Sequence, residues 1–551
     1  MRALLQHQVS ERTQSLPDAT ALVWKDMRMT YGELEETSNR LASLLVDAGC
    51  EPGERVGLMM PKRPMAIVGM LGALKAGAIY VPLDPSDPGQ RLARTLAAAD
   101  CRWILAAGRG GWALQEALNH AQLARAPLVG WLDEERASAP ALGALFELAD
   151  LAAFAPRQPA VAKPSEVAHI LFTSGSTGIP KGVMVTHEGI GQFLRWANSY
   201  FGISGQDRIS QHAPLRFDIS TFDIFGALWA GAEVHLVPPE LNLLPHKLAA
   251  LIRDSRLTQW FSVPAVLNLL AKFDAVREHD FPELRRMLFA GEVLPTPTLI
   301  YLMQRLPHVR FTNLYGPTET TISSSYHTIE NIPGERDAIP IGVACDGEEL
   351  RVLDEKLQPV PDGETGDLYI GGAGLAAGYW RDPDKTRKAF LVDPADPTGS
   401  SRIYRTGDLA RREADGLHYY CGRADTQVKS RGYRIELGEI EAALNTLPEL
   451  LESAVVAVPS VGFEGTTVCC AYVPAPGAEP TLEQLRTELA QRVPAFMLPA
   501  SWQRYERLPR NPNGKVDRPL LAETFRADNT RGAADAHIGS RRDHDSISTT
   551  G

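Results

Sequence analysis

The sequence reads Phe172-Thr-Ser-Gly-Ser-Thr-Gly-Ile-Pro-Lys181-Gly182 directly after an apolar run from Val167 to Phe172. Its glycines and hydroxyl residues allow backbone amides and side-chain hydroxyls to converge on a polyphosphate, and Lys181 adds a positive charge. Pro180 excludes a Walker A element, because that pattern needs glycine five positions after Gly175. A flexible Gly/Ser loop with a solvated lysine is the alternative. The stretch therefore predicts a phosphate-binding loop at the end of a strand.

Helical and strand patterns alternate through the first four hundred residues, on both sides of this loop. Tyr31 to Ala48 predicts a helix, Arg55 to Met60 a strand, and Pro64 to Ala76 a second helix. Strands that alternate with helices are typical of parallel sheets covered by helical layers. The sequence therefore predicts an α/β fold.

The most membrane-like window runs from Met65 to Leu83. Lys75 interrupts its apolar pattern, and Gly77 and Pro82 break any single span. We therefore predict a buried helix followed by a strand, and no membrane partner.

Composition narrows the class of protein. With 551 residues and 44% hydrophobic composition, the chain is long enough for three or four structural units. Its formal net charge of −11 gives no broad basic field, so we expect no nucleic-acid partner. Its start lacks the long apolar stretch of a secretory signal, and its six cysteines lack metal-site spacing. These features predict a cytoplasmic protein with reduced thiols.

The amino-acid composition changes near Gly422, and this change predicts a domain boundary at about Asp425. The segment becomes highly charged there and is followed by an amphipathic helix and the strands Ser453 to Val458 and Thr467 to Val473. We predict an N-terminal core at 1–424 and a small C-terminal α+β domain at 425–526. The polar tail at 527–551 has too few large apolar residues to offset its ordering entropy, and we expect it to be disordered.

Further motifs occur in a fixed order along the chain, and together with the glycine loop they resemble those of the acyl-adenylate-forming superfamily. The resemblance is strongest to amino-acid adenylation domains of nonribosomal peptide synthesis, and it covers Thr30 to Arg518. It implies layered α/β subdomains plus a β-barrel-like part in the large domain. The strings are MTYGEL from Met29, LKAGAIYVPLD from Leu74, FDIS from Phe217, NLYGPTE from Asn313, GDLYIGGAGLAAGY from Gly366, YRTGDL from Tyr404, GRADTQVKSRGYRIELGEIE from Gly422, VPAFMLP from Val493 and NGKVDR from Asn513.

The motif from Asn313 to Glu319 has its own chemical logic. An aromatic face can stack on a purine, an amide can bond the purine edge, and a carboxylate can hold Mg²⁺ beside phosphate oxygens. A Gly-Pro turn with exposed polar residues is the alternative. The carboxylate of Asp408 can accept two hydrogen bonds from a ribose diol, or it is a plain turn aspartate. The resemblance implies an ATP site made of Thr173, Ser174, Gly175, Ser176, Thr177, Gly178, Lys181, Asn313, Tyr315, Gly316, Asp408, Tyr420 and Arg423.

Lys515 would ordinarily be a solvated surface lysine. The resemblance instead implies that it reaches from the small domain into the cleft and bonds the substrate carboxylate and the charge near the α-phosphate. It also assigns catalytic roles to Thr318 and Glu319 and places Mg²⁺ on Glu319. It further implies that the domain at 425–526 is a mobile lid, with Asp425 as its hinge. Phosphoryl chemistry of this kind needs no protein nucleophile, because a carboxylate is already ionised at neutral pH.

Asp218 matches the acidic residue that binds the α-ammonium group of the substrate in amino-acid adenylation domains. A buried carboxylate would be costly without such a cationic ligand. This favours amino acids over fatty or aryl acids. The pocket is otherwise apolar except for Ser323, and its pattern resembles that of free-standing prolyl adenylation enzymes. L-Proline is therefore the predicted substrate, and hydroxyphenylglycine is the second choice. The pocket residues that the motif spacing assigns are Asp218, Ile219, Phe222, Phe261, Leu288, Ala290, Leu314, Ile322 and Ser323.

No carrier-domain signature follows Arg518, so we expect a separate peptidyl carrier protein with phosphopantetheine to accept the acyl group, with coenzyme A as the competing acceptor. A small activator protein is a further possible partner. Ser430 and Ala377 depart from the usual family residues, and the Ser430 change bears on carrier affinity. An acyl- or aryl-CoA ligase would not need Asp218, and a regulatory nucleotide-binding protein would not need Lys515.

Overall fold

The computed structural model describes residues 4–133, 142–161, 163–174, 180–459, 466–511 and 515–527. The described chain divides into compact units on either side of the bond between Asp425 and Thr426, and Ser174 is grouped with the second unit. The tail predicted to be disordered lies, from residue 528 onwards, outside the described residues.

Helices occur throughout both units. In chain order they are α1 (Leu5–Ser15), α2 (Tyr31–Asp47), α3 (Pro64–Lys75), α4 (Gly89–Ala99), α5 (Gly110–His120), α6 (His187–Phe201), α7 (Ile219–Thr221), α8 (Ala227–Ala230), α9 (Pro245–Asp254), α10 (Pro264–Lys272), α11 (Thr296–Arg305), α12 (Pro383–Ala389), α13 (Leu437–Leu444), α14 (Leu482–Ala490) and α15 (518–527). A π-helical turn over Phe222–Gly226 connects α7 to α8.

The strands of the first unit are β1 (Thr20–Trp24), β2 (Met27–Thr30), β3 (Arg55–Met59), β4 (Ile79–Leu83), β5 (Trp103–Ala106), β6 (Leu128–Trp131), β7 (Phe146–Glu147), β8 (Val167–Thr173), β9 (Lys181–Thr186), β10 (Arg208–Gln211), β11 (Glu233–Leu236), β12 (Gln259–Ser262), β13 (Arg286–Ala290), β14 (Arg310–Tyr315), β15 (Ser325–Ile329), β16 (Val343–Ala344), β17 (Glu348–Leu353), β18 (Thr365–Gly372), β19 (Phe390–Val392), β20 (Arg402–Arg412) and β21 (His418–Arg423). The second unit contributes β22 (Gln427–Ser430), β23 (Tyr433–Glu436), β24 (Leu450–Pro459), β25 (Thr466–Pro474) and β26 (Ser501–Arg504).

The predicted helices and strands near the N-terminus are confirmed to within a residue. Thr30 caps α2 through a reciprocal capping box with Glu33, which satisfies amides at the helix start. The membrane-like window forms α3, whose apolar side chains are almost all buried, followed by the buried strand β4. Within the described residues, no helix is long and apolar enough to cross a membrane.

Parallel strands dominate the sheets of the first unit, as predicted. One mixed sheet has the order β16-β15-β14-β13-β12-β10-β11-β1-β2. Its pairs from β14 to β1 are parallel, and its pairs at both ends are antiparallel. A second sheet has the order β7-β6-β5-β3-β4-β8-β9, and its last pair is antiparallel. An antiparallel sheet follows, with the order β17-β18-β20-β19 and β21 beside β20. The second unit contains the sheet β24-β25-β26 and the pair β22-β23.

The register of β12, β13 and β14 separates two cores on opposite faces of the mixed sheet. Phe261 pairs with Leu288, and Ala290 pairs with Leu314, so these side chains share one face. All four belong to the large central core, whereas Phe289 and its neighbours pack in a separate core behind the sheet. The fold therefore brings four residues of the predicted pocket together from three strands.

Candidate active site

The glycine-rich loop connects β8 to β9 in an antiparallel pair, with Thr173 opposite Lys181 at its base. The Oγ1 of Thr173 is buried without a hydrogen-bond partner among the described residues. The hydroxyl of Ser174 donates a 2.6 Å hydrogen bond to the carbonyl oxygen of Arg434 within the second unit. Gly175, Ser176, Thr177 and Gly178 lie outside the described residues. The strand end that the sequence predicted for this loop is confirmed.

Lys181 emerges from this loop beside Glu319. Its Nζ lies 3.1 Å from Glu319 Oε1, and the Glu319 side chain is fully buried. Tyr379 donates a 2.8 Å hydrogen bond to the same oxygen, and its ring lies 5.2 Å from the lysine nitrogen. Burial of a carboxylate is costly without such partners, so this contact fixes both charged groups. The sequence motifs alone assign no role to Tyr379, although this tyrosine ends the GAGLAAGY string.

The Glu319 carboxylate is a suitable protein ligand for a Mg²⁺ ion that is bound together with a nucleotide. Mg²⁺ usually takes one or two protein carboxylates and completes its octahedron with phosphate oxygens and water. Among the described residues, no cluster of three His, Cys, Asp or Glu side chains could hold a metal by itself. Glu319 therefore fits a metal that arrives with the triphosphate, and the buried oxygens of this side chain would bind it.

Tyr315, Asp408 and Arg423 form a second buried group at the end of β14. The hydroxyl of Tyr315 donates to Asp408 Oδ2 at 2.5 Å, and Arg423 Nη1 donates to Asp408 Oδ1 at 2.5 Å. Burial, with the neighbouring Asp408 charge, raises the pKa of Tyr315 well above its usual value, so the tyrosine stays protonated and donates. Each carboxylate oxygen has a further lone-pair site, which ribose hydroxyls can use.

Three further residues predicted to hold the nucleotide are Asn313, Gly316 and Tyr420. Asn313 donates a 2.7 Å hydrogen bond to the carbonyl oxygen of Pro340. Tyr420 is partly buried, and burial together with the Asp408 charge raises the pKa of its phenol. A side chain on Gly316 would place its Cβ 2.6 Å from the Cα of Ser323, so only glycine fits there.

Asp218 stands at the start of α7 and contacts Thr318, the residue before Glu319. Its Oδ1 accepts a 2.8 Å hydrogen bond from the amide of Ile219, and its Oδ2 accepts a 2.7 Å hydrogen bond from the hydroxyl of Thr318. The side chain is only partly buried, so the expectation of a buried carboxylate is wrong. Its position at a helix start and its two hydrogen bonds fix the orientation of the carboxylate.

The apolar residues assigned to the pocket all belong to one buried cluster, which comprises Ile219, Phe222, Phe261, Leu288, Ala290, Leu314 and Ile322 among its members. The rings of Phe222 and Phe261 meet edge to face at 6.0 Å, and Phe193 of α6 packs edge-on against Phe222 at 5.3 Å. Ser323 is 2% exposed, and its Oγ has no hydrogen-bond partner among the described residues. The Oγ of Ser323 is therefore a polar atom in apolar surroundings that a polar group of a ligand could hydrogen-bond.

Asp425 and Lys515 belong to different units. Asp425 ends the first unit, and its carboxylate receives two hydrogen bonds from Arg423, at 2.7 and 2.6 Å. Lys515 is exposed in the second unit, where its amide donates a 3.0 Å hydrogen bond to the side chain of Asn511. The hinge and catalytic roles of these residues stay predictions.

Comparison with known proteins identifies the family. Residues 9–380 match the family described as AMP-binding enzyme, and residues 439–515 match its C-terminal domain. The chain belongs to the AMP-binding enzyme family. As a member it is an AMP-forming ligase, and its relatives include adenylation domains of nonribosomal peptide synthetases.

One such relative is surfactin synthase subunit 2 of Bacillus subtilis, which is 37% identical over 94% of this chain. The chain spans only 14% of that relative's length, and 8% of the length of tyrocidine synthase 3 of Brevibacillus parabrevis, at 34% identity over 95% of this chain. Among solved structures, the Vibrio cholerae adenylation domain AlmE in complex with glycyl-adenosine-5'-phosphate superposes with a TM-score of 0.79. Its identity to this chain is 25%, and the match covers 95% of this chain and 97% of AlmE.

Proposed function

We propose that this protein activates L-proline as prolyl-AMP with ATP and Mg²⁺, and then transfers the prolyl group to the phosphopantetheine thiol of a separate peptidyl carrier protein. The setting would be the biosynthesis of an antibiotic or other secondary metabolite. The single observation that carries the proposal is the convergence of Asp218 and the apolar cluster around Phe222 beside the Lys181–Glu319 pair. The AlmE complex, which contains an aminoacyl adenylate, supports the same reaction class.

In the proposed first half-reaction, a substrate carboxylate oxygen bonds to the α-phosphorus as the bond to pyrophosphate breaks. Two anions must approach, so positive charge and alignment lower the barrier. Lys181 and the glycine loop would steady the pyrophosphate, and Lys515 would bond the substrate carboxylate and the α-phosphate oxygens. Asp408 would hold the ribose, and Tyr315 would support the adenine. Mg²⁺, when bound through Glu319, would neutralise phosphate charge.

The substrate preference follows from charge and size. The Asp218 carboxylate suits an α-ammonium group, and Thr318 orients one of its oxygens. The side-chain pocket would be bounded by Phe222, Phe261 and branched aliphatic residues, which cannot satisfy a charged side chain. A compact apolar amino acid fits that setting, and proline is the candidate we favour.

A second candidate is a hydroxylated aromatic amino acid such as hydroxyphenylglycine. The unpartnered Oγ of Ser323 favours it, because a phenol hydroxyl could satisfy this buried atom. The experiment is ATP/pyrophosphate exchange with all proteinogenic amino acids, hydroxyphenylglycine and aryl acids, with and without an added small activator protein. A clear preference for a bulkier or charged acid over proline would contradict the proposal.

Transfer to a carrier needs its own test. Purified protein, ATP and radiolabelled proline would be mixed either with a free-standing holo-carrier protein or with coenzyme A. We expect label on the carrier's thiol and none when the phosphopantetheine is absent. Efficient prolyl-CoA formation without carrier loading would favour a CoA ligase instead.

A further inference from the structure

The wall of the proposed pocket contains a strained turn. Thr321 has φ of 59° and Ile322 has φ of 69°, in the left-handed region that β-branched residues rarely adopt. Backbone strain of this kind persists only where surrounding contacts determine the conformation. The turn carries Ile322, which is 3% exposed and belongs to the same cluster as Phe222. The contacts that hold the turn therefore decide where Ile322 lies.

Contacts within the turn account for one side of it. The amide of Ser324 donates a 2.7 Å hydrogen bond to the carbonyl oxygen of Tyr315, and the hydroxyls of Thr320 and Ser324 are 2.7 Å apart. These bonds join the turn to the end of β14. Within the turn, the amide of Thr321 donates a 3.2 Å hydrogen bond to the carbonyl oxygen of Thr318, and the amide of Ser323 donates a 2.9 Å hydrogen bond to the carbonyl oxygen of Thr321. None of these bonds involves the side chain of Thr321, which gives the turn a second support.

That second support comes from the glycine-rich segment after β18. The hydroxyl of Thr321 donates a 2.6 Å hydrogen bond to the carbonyl oxygen of Gly374, and the amide of Gly374 donates a 2.7 Å hydrogen bond to Glu348 Oε1. A Cβ on Gly374 would lie 2.6 Å from that carboxyl oxygen and 2.8 Å from the carbonyl oxygen of Thr320. Gly374 is thus held from two sides, by Glu348 at its amide and by Thr321 at its carbonyl oxygen.

Glu348 is an unusual residue for this place. Its Oε2 is buried and has no hydrogen-bond partner among the described residues, and burial raises the pKa of the carboxyl to about 8. Burying a polar oxygen without a hydrogen-bond partner costs free energy. Its Oε1 accepts the hydrogen bond from the amide of Gly374, and the carbonyl oxygen of the same glycine accepts the hydrogen bond from Thr321.

We propose that Glu348 is a positioning residue for the amino-acid pocket, which acts through Gly374 and Thr321 to hold Ile322 against the substrate side chain. The inference rests on the proposed function, because it takes Ile322 as a wall of the substrate pocket. It concerns the amino acid and not the nucleotide, since the Glu319 carboxylate is bound directly by Lys181 and Tyr379, through contacts that include neither Glu348 nor Thr321. Loss of the support lets the turn relax and the pocket widen.

Two pairs of variants test the proposal by pyrophosphate exchange. Glu348→Ala removes the acceptor for the Gly374 amide, whereas Glu348→Gln keeps an oxygen there. Thr321→Val removes the donor to Gly374, whereas Thr321→Ser keeps it. We expect Glu348→Ala and Thr321→Val to raise the amino-acid KM at least tenfold and to reduce the preference for proline over larger amino acids. The ATP KM should stay within twofold, and Glu348→Gln and Thr321→Ser should behave as wild type.

Two results would overturn the inference. One is an unchanged amino-acid KM and selectivity in both disruptive variants. The other is a parallel rise of the amino-acid and ATP KM in proportion to a fall in Tm, which a merely structural role would give. If Glu348→Ala fails to fold, the Thr321 pair decides.

Hydrogen exchange separates this inference from the proposed function. If wild-type protein shows no amino-acid-dependent exchange of pyrophosphate, the proposed function fails. In that case the contact through Gly374 is tested by the hydrogen-exchange rate of the Ser324 amide. This rate should be higher than in wild type in Glu348→Ala but not in Glu348→Gln. Equal protection of that amide in both variants would contradict the inference.

Discussion

Replacement of Asp218 by asparagine should weaken amino-acid binding without affecting ATP. Asparagine keeps the shape and one oxygen acceptor, so the hydrogen bond from the Thr318 hydroxyl can persist. It removes the charge that would face the substrate's α-ammonium group. Hydrogen bonds to charged groups contribute about 1.5–3 kcal/mol, which corresponds to a rise of about 10- to 150-fold in the KM for proline. Because Asp218 is partly exposed, we expect the lower half of that range.

The assay is pyrophosphate exchange with proline and with cyclopentanecarboxylic acid, which lacks the amine. Asp218→Asn should raise the KM for proline and leave that of the analogue unchanged. Asp223→Asn is the matched control on the next helical turn, because Asp223 is fully buried and its burial raises its pKa well above the usual value. An equal effect of Asp218→Asn on both acids, or no effect on proline, would refute the assignment of Asp218.

The structure supports three further predictions. Lys181→Gln leaves the buried Glu319 carboxylate without its cation, so it should lower the free energy of unfolding by about 3 kcal/mol and raise the ATP KM, as measured by urea titration and exchange kinetics. Burial lowers the pKa of His169 from 6.5 to about 3, so its neutral form contributes stability above pH 6.5 that is lost as the pH falls toward 3; His169→Gln should flatten the decline in urea midpoint below pH 6.5. The pKa of Glu348 is raised from 4.5 to about 8, so the stability it contributes below pH 4.5 is lost as the pH rises through 8; Glu348→Gln should gain stability relative to wild type over that window, and a constant difference in urea midpoint would contradict this.

Much of the fold could be predicted because its signals are local. The capping residue Thr30 and the apolar spacing behind it predict α2, and the apolar run before the glycine loop predicts β8. The family could be predicted as well, because its motifs are short strings in a fixed order. Element ends moved by a residue or a few, as at β24, whose described span is longer than the predicted strand.

The candidate site could be predicted as a set of residues but not as an arrangement. Nothing near Glu319 in the chain indicates that Tyr379, sixty positions away, donates to its carboxylate. The sequence predicts a buried Asp218, whereas the residue is partly exposed at the start of a short helix and accepts a hydrogen bond from the distant Thr318. Such contacts join distant segments, and local patterns carry no information about them.

The sequence by itself determined the alternation of helices and strands, the glycine loop and the family, because each depends on neighbouring residues or on their order. Only the tertiary structure decided which side chains share a face of the mixed sheet, as Phe261 and Leu288 do through strand register. It also revealed the left-handed turn at Ile322 and its support by Glu348, since packing between β17 and the segment after β18 holds a conformation that the residues there disfavour by themselves.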